Sequence, residues 1–136
     1  MSEYTLKANK FLAKNNIRFS VLETFVGVCE WDGKVHFKHK VRFYNRNTKK
    51  SMTLTFTSSL RDYETGNMEV TAYDVLACLT KYEVGSLDDF VSDFGYTIDS
   101  LESFRKTEKT WKAVKHEYKG VLRVFGDCME ELQDIA

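Results

Sequence analysis

Lys38, Lys40 and Arg42 alternate with Phe37, His39, Val41 and Phe43 in the stretch 35–44. A period of two puts the three cations on one side of an extended strand, with Tyr44 adjoining them. Cations spaced along a strand beside an aromatic ring suit a phosphate backbone, the ring being available for stacking. A second set follows. Arg105, Lys109, Lys112, His116, Lys119 and Arg123 step by 4, 3, 4, 3 and 4 residues. On a helix this spacing gathers them into an arc of about 80°. Such a stripe fits a nucleic acid or an acidic protein surface. The competing reading is structural, because strand lysines guard against edge-to-edge pairing and exposed helix faces are commonly basic.

Catalytic patterns are sparse. Asp88, Asp89 and Asp93 cluster, with Asp89 and Asp93 on one helical face. Acids here suit a helix start, and a magnesium site needs further carboxylates from elsewhere in the fold. GxSxG, HExxH and Walker signatures are missing. His36 and His39 lie three apart on a strand and therefore face opposite sides, which is wrong for a shared metal. His39, on the apolar side, reads as a hydrogen-bonded core or edge histidine. Cys29, Cys78 and Cys128 are odd in number and widely spaced, without a CxxC. That pattern predicts small buried thiols in a reducing cytoplasm, not a disulfide framework or zinc ribbon. The expectation is a non-enzyme with no cofactor and no metal.

The elements that carry these residues are legible from periodicity. At 136 residues and 15.8 kDa the chain has the size of one domain able to bury its own core. Ser2–Asn15 reads as a short amphipathic helix ended by Asn15-Asn16. Ile17–Trp31 reads as a strand whose phase shifts near Leu22-Glu23, with Gly27 a candidate bulge. Asp32-Gly33 signals a hairpin. Strands then follow over 35–44 and 51–57, separated by the polar turn Asn45–Lys50. The segment Ser58–Val70 reads as an exposed loop. Thr71 and Ser86 cap helices, Gly95 ends the second, and Asp99 with Glu102 makes a capping box for a long final helix. Phe104, Trp111, Val114, Tyr118, Val121, Leu122 and Phe125 share its apolar face. Gly126 closes it, and Met129–Ile135 adds a last acidic turn or short helix. The fold class is α+β: an N-terminal helix and three-stranded antiparallel meander over 1–57, then a helical part over 71–136 packed on the sheet.

Lys+Arg and Asp+Glu both number 20, so the formal net charge is zero. This argues against a histone-like binder and against a wholly acidic nucleic-acid mimic. The charge is nonetheless segregated. Residues 1–57 hold 11 Lys+Arg against 4 Asp+Glu, and residues 58–136 hold 9 against 16. No apolar run is long enough for a membrane span, and the first residues lack the layout of a signal peptide. The expectation is a cytoplasmic protein with no membrane partner. Pairing of two copies along an exposed strand edge is open to it.

One resemblance adds to this. The series Thr71-Ala72-Tyr73-Asp74-Val75-Leu76, Leu87-Asp88-Asp89-Phe90 and Phe94-Gly95-Tyr96-Thr97-Ile98-Asp99-Ser100, then a charged helix with Trp111, resembles a family of small bacteriophage and prophage proteins with an FGYxxDS segment. It spans roughly residues 50–125, with Ile98 in a slot that is small or polar in the family pattern. The resemblance implies phage origin and, by analogy with small phage accessory proteins, antagonism of host defence of the anti-CRISPR kind. The implied partner is a host defence effector complex, protein with its RNA or DNA. Lys38, Lys40, Arg42, Arg105, Lys109, Lys112, Lys119 and Arg123 are the expected contacts. A phage nucleic-acid-binding accessory protein and a metal-dependent enzyme using Asp88–Asp93 stand as alternatives.

Overall fold

The computed structural model describes residues 2–30, 32–79 and 86–135. Trp31, the expected end of the first strand, lies outside them, as do Lys81 and Gly85. Helix α1 (Glu3–Lys14) starts at Ser2, whose side chain accepts from the Thr5 amide. It buries Ala8, Phe11 and Leu12, the apolar positions one helical turn apart. Asn16 takes the left-handed turn (φ 55°) into β1 (Ile17–Val28). Strands β2 (Val35–Asn45) and β3 (Ser51–Thr57) complete an antiparallel sheet in the order β1-β2-β3.

The sheet's inner face carries Phe19, Val41, Phe43, Met52, Leu54 and Phe56, which belong to or pack on the core. Helix α5 (Leu101–Phe125) lies on β3 and β2 through its last turns, while α1 packs on β1 and on α3 (Ala72–Leu79). Gly120 permits the close approach of α5, because a Cβ there would sit 3.3 Å from the Met52 Cβ. Phe125 joins the layers: its ring meets Phe43 edge-on at 5.2 Å and Phe11 at 6.3 Å. Buried Asn45 locks the junction, its amide donating to the Val124 carbonyl (2.9 Å), one of the carbonyls left open at the end of α5. A 3-10 turn (Gly126–Cys128) leads into α6 (Met129–Ile135), which packs against α1 and α3. Cys128 is buried, and burial first, then Glu131 and Asp127, push its thiol up to about 11.

Several local expectations are corrected. The phase shift expected near Leu22-Glu23 is present as a bulge between Val21 and Glu23, but Gly27 is no bulge and pairs regularly with His36. Part of the expected loop 58–70 is helical: Ser59 caps α2 (Leu60–Thr65) and Gly66 closes it in the left-handed conformation. Six residues are too few to display an apolar period, so the helix is invisible to pattern reading. The capping box at α5 is formed by Ser100 and Ser103, not Asp99 and Glu102. A serine hydroxyl both donates and accepts, so it serves as well as the expected acid. Leu122 is 44% exposed, and the buried face of α5 is Thr107, Gly120, Val121, Val124 and Phe125. Gly126 is right-handed and passes the chain on into α6. By contrast Gly95 (φ 68°) ends α4 (Leu87–Phe94) as expected, and Thr71 and Asp74 cap α3 reciprocally.

His39 is fully buried on the inner face of β2, its Nδ1 2.9 Å from the Thr24 hydroxyl and its Nε2 without a partner. Burial depresses its pKa, opposed by the more distant carboxylates of Asp62 and Asp74. The native state therefore holds a neutral ring that the unfolded chain protonates near pH ~6.5. Its contribution to stability is present above that value and lost as the pH falls toward the lowered native one. His39→Leu removes the orphaned Nε2 but also the partner of the Thr24 hydroxyl, so stability at pH 7 is expected to change by less than about 1 kcal/mol. Urea unfolding at pH 7 and pH 5 should show a smaller acid loss in the variant. The difference isolates His39 from the other histidines, and equal acid losses in both proteins would refute the assignment.

Candidate polyanion-binding surface

Strand β2 is central, so its outward side chains are flanked on both sides. Lys40 and Arg42 are exposed and Lys38 half-buried, as alternation requires. Their partners on β3 are all threonines: Lys38 faces Thr57, Lys40 faces Thr55 and Arg42 faces Thr53. A row of hydroxyls thus runs beside a row of cations, and both groups contact phosphate oxygens. On the other flank Tyr44 pairs with Arg18, Arg42 with Ser20, and Lys40 with Glu23. Arg18, which belongs to no motif in the sequence, follows from the phase of β1, which sends Ile17 and Phe19 inward. The Arg42 guanidinium sits 5.3 Å from the Tyr44 ring centroid.

The helical stripe is present as predicted: Arg105, Lys109, Lys112, His116, Lys119 and Arg123 are all exposed along α5. Lys112 pairs with Glu108 at 3.5 Å, a solvated contact of little energetic weight. Among the described residues no ion pair engages the other seven of the predicted cations. Charges in α1 do meet acids, Lys14 lying 3.4 Å from Glu131 of α6. Local cancellation thus accounts for part of the basic N-terminal segment and not for β2.

The tertiary structure brings the end of the stripe to the edge of the sheet. The Arg123 Nε donates to the Ser51 carbonyl at 3.2 Å, on the open edge of β3. Ser51 is the cross-strand neighbour of Tyr44, on which Arg42 sits. The last residue of the stripe therefore reaches the β3 edge, while the sheet cations lie on the face turned away from α5.

Among the described residues the acidic alternative finds no such assembly. Asp88, Asp89 and Asp93 are exposed on α4, capped by the Ser86 hydroxyl on the Asp89 amide. Among the described residues the single group of three with ligand atoms within 4.8 Å of one another is Cys29, Asp32 and His36. Spacing along the strand concealed it, because the hairpin returns Cys29 and Asp32 to His36. His36, expected outward with the cations, is buried: Ser58 covers one ring nitrogen and Asp32 the other. The Ser58 carbonyl, then Asp32, raise its pKa. The Lys34 amide and then His36 hold Asp32 below the usual carboxylate range.

Between α4 and the first half of α5 lies a cavity of about 750 Å³ lined by Phe90, Phe94, Tyr96, Val114, Glu117 and Glu30. Burial raises the Glu117 carboxyl. The Tyr96 ring is tilted against Phe90 (5.3 Å), and Phe94 is 39% exposed. No described helix is long and apolar enough to cross a membrane.

These features define an α+β domain whose outer sheet face and long helix each carry exposed cations. Comparison with protein-family models, curated proteins and solved structures finds no match.

Proposed function

We propose that this protein is a non-catalytic binder whose cationic surface occupies a polyanionic site on a larger assembly, and that the assembly is a CRISPR effector complex of the bacterial cytoplasm, which it inhibits. The observation that carries the binding reading is the outward row Lys38, Lys40 and Arg42, flanked by Thr57, Thr55 and Thr53 and engaged in no ion pair among the described residues. Such a surface recruits a polyanion by charge and then holds it with hydroxyl and ring contacts. The choice of a defence complex rests on the resemblance of residues 94–100 and their surroundings to phage proteins. The alternative, a phage accessory protein that binds nucleic acid directly, uses the same surface.

The test is size-exclusion chromatography and target cleavage with a purified, guide-loaded effector, run beside a free-oligonucleotide titration over a salt series. Co-elution with loss of cleavage supports the inhibitor. Steeply salt-dependent oligonucleotide binding without effector contact selects the alternative. Absence of both overturns the binding reading.

A further inference from the structure

The turn between β1 and β2 gathers three chemically different donors. Ligand atoms of Cys29, Asp32 and His36 all lie within 4.8 Å of one another. The His36 ring is held from behind: its Nδ1 lies 2.8 Å from the Ser58 carbonyl. A carbonyl only accepts, so Nδ1 carries the proton and Nε2 is left as the nitrogen that can bind a metal. Nε2 faces Asp32 Oδ2 at 2.7 Å. Asp32 is fixed in turn, because its Oδ1 accepts from the Lys34 amide at 2.9 Å. The Cys29 backbone is tied down on both sides, its amide donating to Lys34 O (2.8 Å) and its carbonyl accepting from the Gly33 amide (2.9 Å). The imidazole and the carboxylate thus have the outer contacts that orient metal ligands.

An Asp–His hydrogen bond accounts for two of these groups and leaves the third unexplained. Cys29 is half-buried at this turn, unlike Cys128, which belongs to the core. We propose that Cys29 Sγ, Asp32 Oδ2 and His36 Nε2 form a zinc-binding site at the tip of the β1–β2 hairpin. A thiolate and an imidazole select zinc over calcium and magnesium, which take oxygen ligands. Three protein donors leave the fourth tetrahedral position to water. Binding balances by releasing two protons, one from the Cys29 thiol and one shared between Nε2 and Oδ2. The ion would staple the hairpin at residues separate from the cationic surface, so zinc binding and polyanion binding stand or fall independently.

The experiment titrates the full chain with zinc against a chromophoric chelator, and with cobalt(II) followed by absorption. The expected result is one equivalent bound, a thiolate-to-cobalt charge-transfer band, and a zinc-dependent rise in the thermal midpoint. Removing an outer partner alone weakens metal sites by about 10–100-fold, so Cys29→Ser should weaken zinc by at least about 100-fold and abolish the band. Asp32→Asn, at an exposed position, serves as the second variant should Cys29→Ser lose its native circular dichroism. Cys78→Ser should bind as the parent does. Absence of the band, equal affinity in parent and folded variant, or loss with Cys78→Ser in place of Cys29→Ser would overturn the site.

Discussion

Phe125→Ala is expected to destabilise the protein by about 3–5 kcal/mol, the cost of a large aromatic removed from a core that collapses only in part. Phe125 is fully buried and touches rings from two other elements, Phe11 of α1 and Phe43 of β2. Neighbouring Val121, Val124 and Leu132 are also fully enclosed and fixed by their own packing. The void therefore stays open, and the helical half loosens from the meander. Domain stabilities are about 5–15 kcal/mol, so the variant stands near the edge of folding. Urea denaturation should show a lower midpoint with an unchanged slope. Phe125→Leu should lose less than half as much. A loss below about 1 kcal/mol for Phe125→Ala would mean that this ring does not join the layers.

Neutralising the surface has the other large effect, on binding and not on folding. Two variants test it, Lys38→Gln with Lys40→Gln and Arg42→Gln, and Lys109→Gln with Lys112→Gln and Lys119→Gln. The positions are mostly exposed and largely unpaired, so each substitution should change stability by no more than about 0.5 kcal/mol. Removing one cation from a phosphate lowers the slope of log affinity against log salt by about 0.7–0.9, which is up to about tenfold in affinity near 0.1 M salt. Either triple variant should thus lose about two slope units and at least about tenfold in partner affinity. Inhibition should fall in parallel. If both folded variants bind and inhibit at full strength, the cations are a solvated exterior and the proposed function fails. If only the helix variant is impaired, the sheet cations take no part in binding.

The fold was largely legible because its elements carry strong local signals. The alternation of β2 and the turn at Asp32-Gly33 specify a hairpin, and the caps at Ser2, Thr71 and Ser86 act within three residues. The structure departs from the local signals where a signal has two solutions. Ser103 displaced Glu102 in the capping box, and α2 was too short to show a period. Leu122 looked apolar and inward, yet the sheet lies under Val121 and Val124. The sheet covers α5 only near its C-terminal end, which no helical wheel reveals.

The sequence by itself determined the alternation that sorts β2 into an apolar and a cationic face and the spacing that aligns the α5 stripe, because both follow from fixed backbone periods. Only the tertiary structure decided that Arg123 reaches the β3 edge at Ser51, that acids answer α1, and that Cys29, Asp32 and His36 converge. Those outcomes depend on where chain reversals and helix packing place residues distant along the chain, and the separation of two residues in sequence does not encode their separation in space.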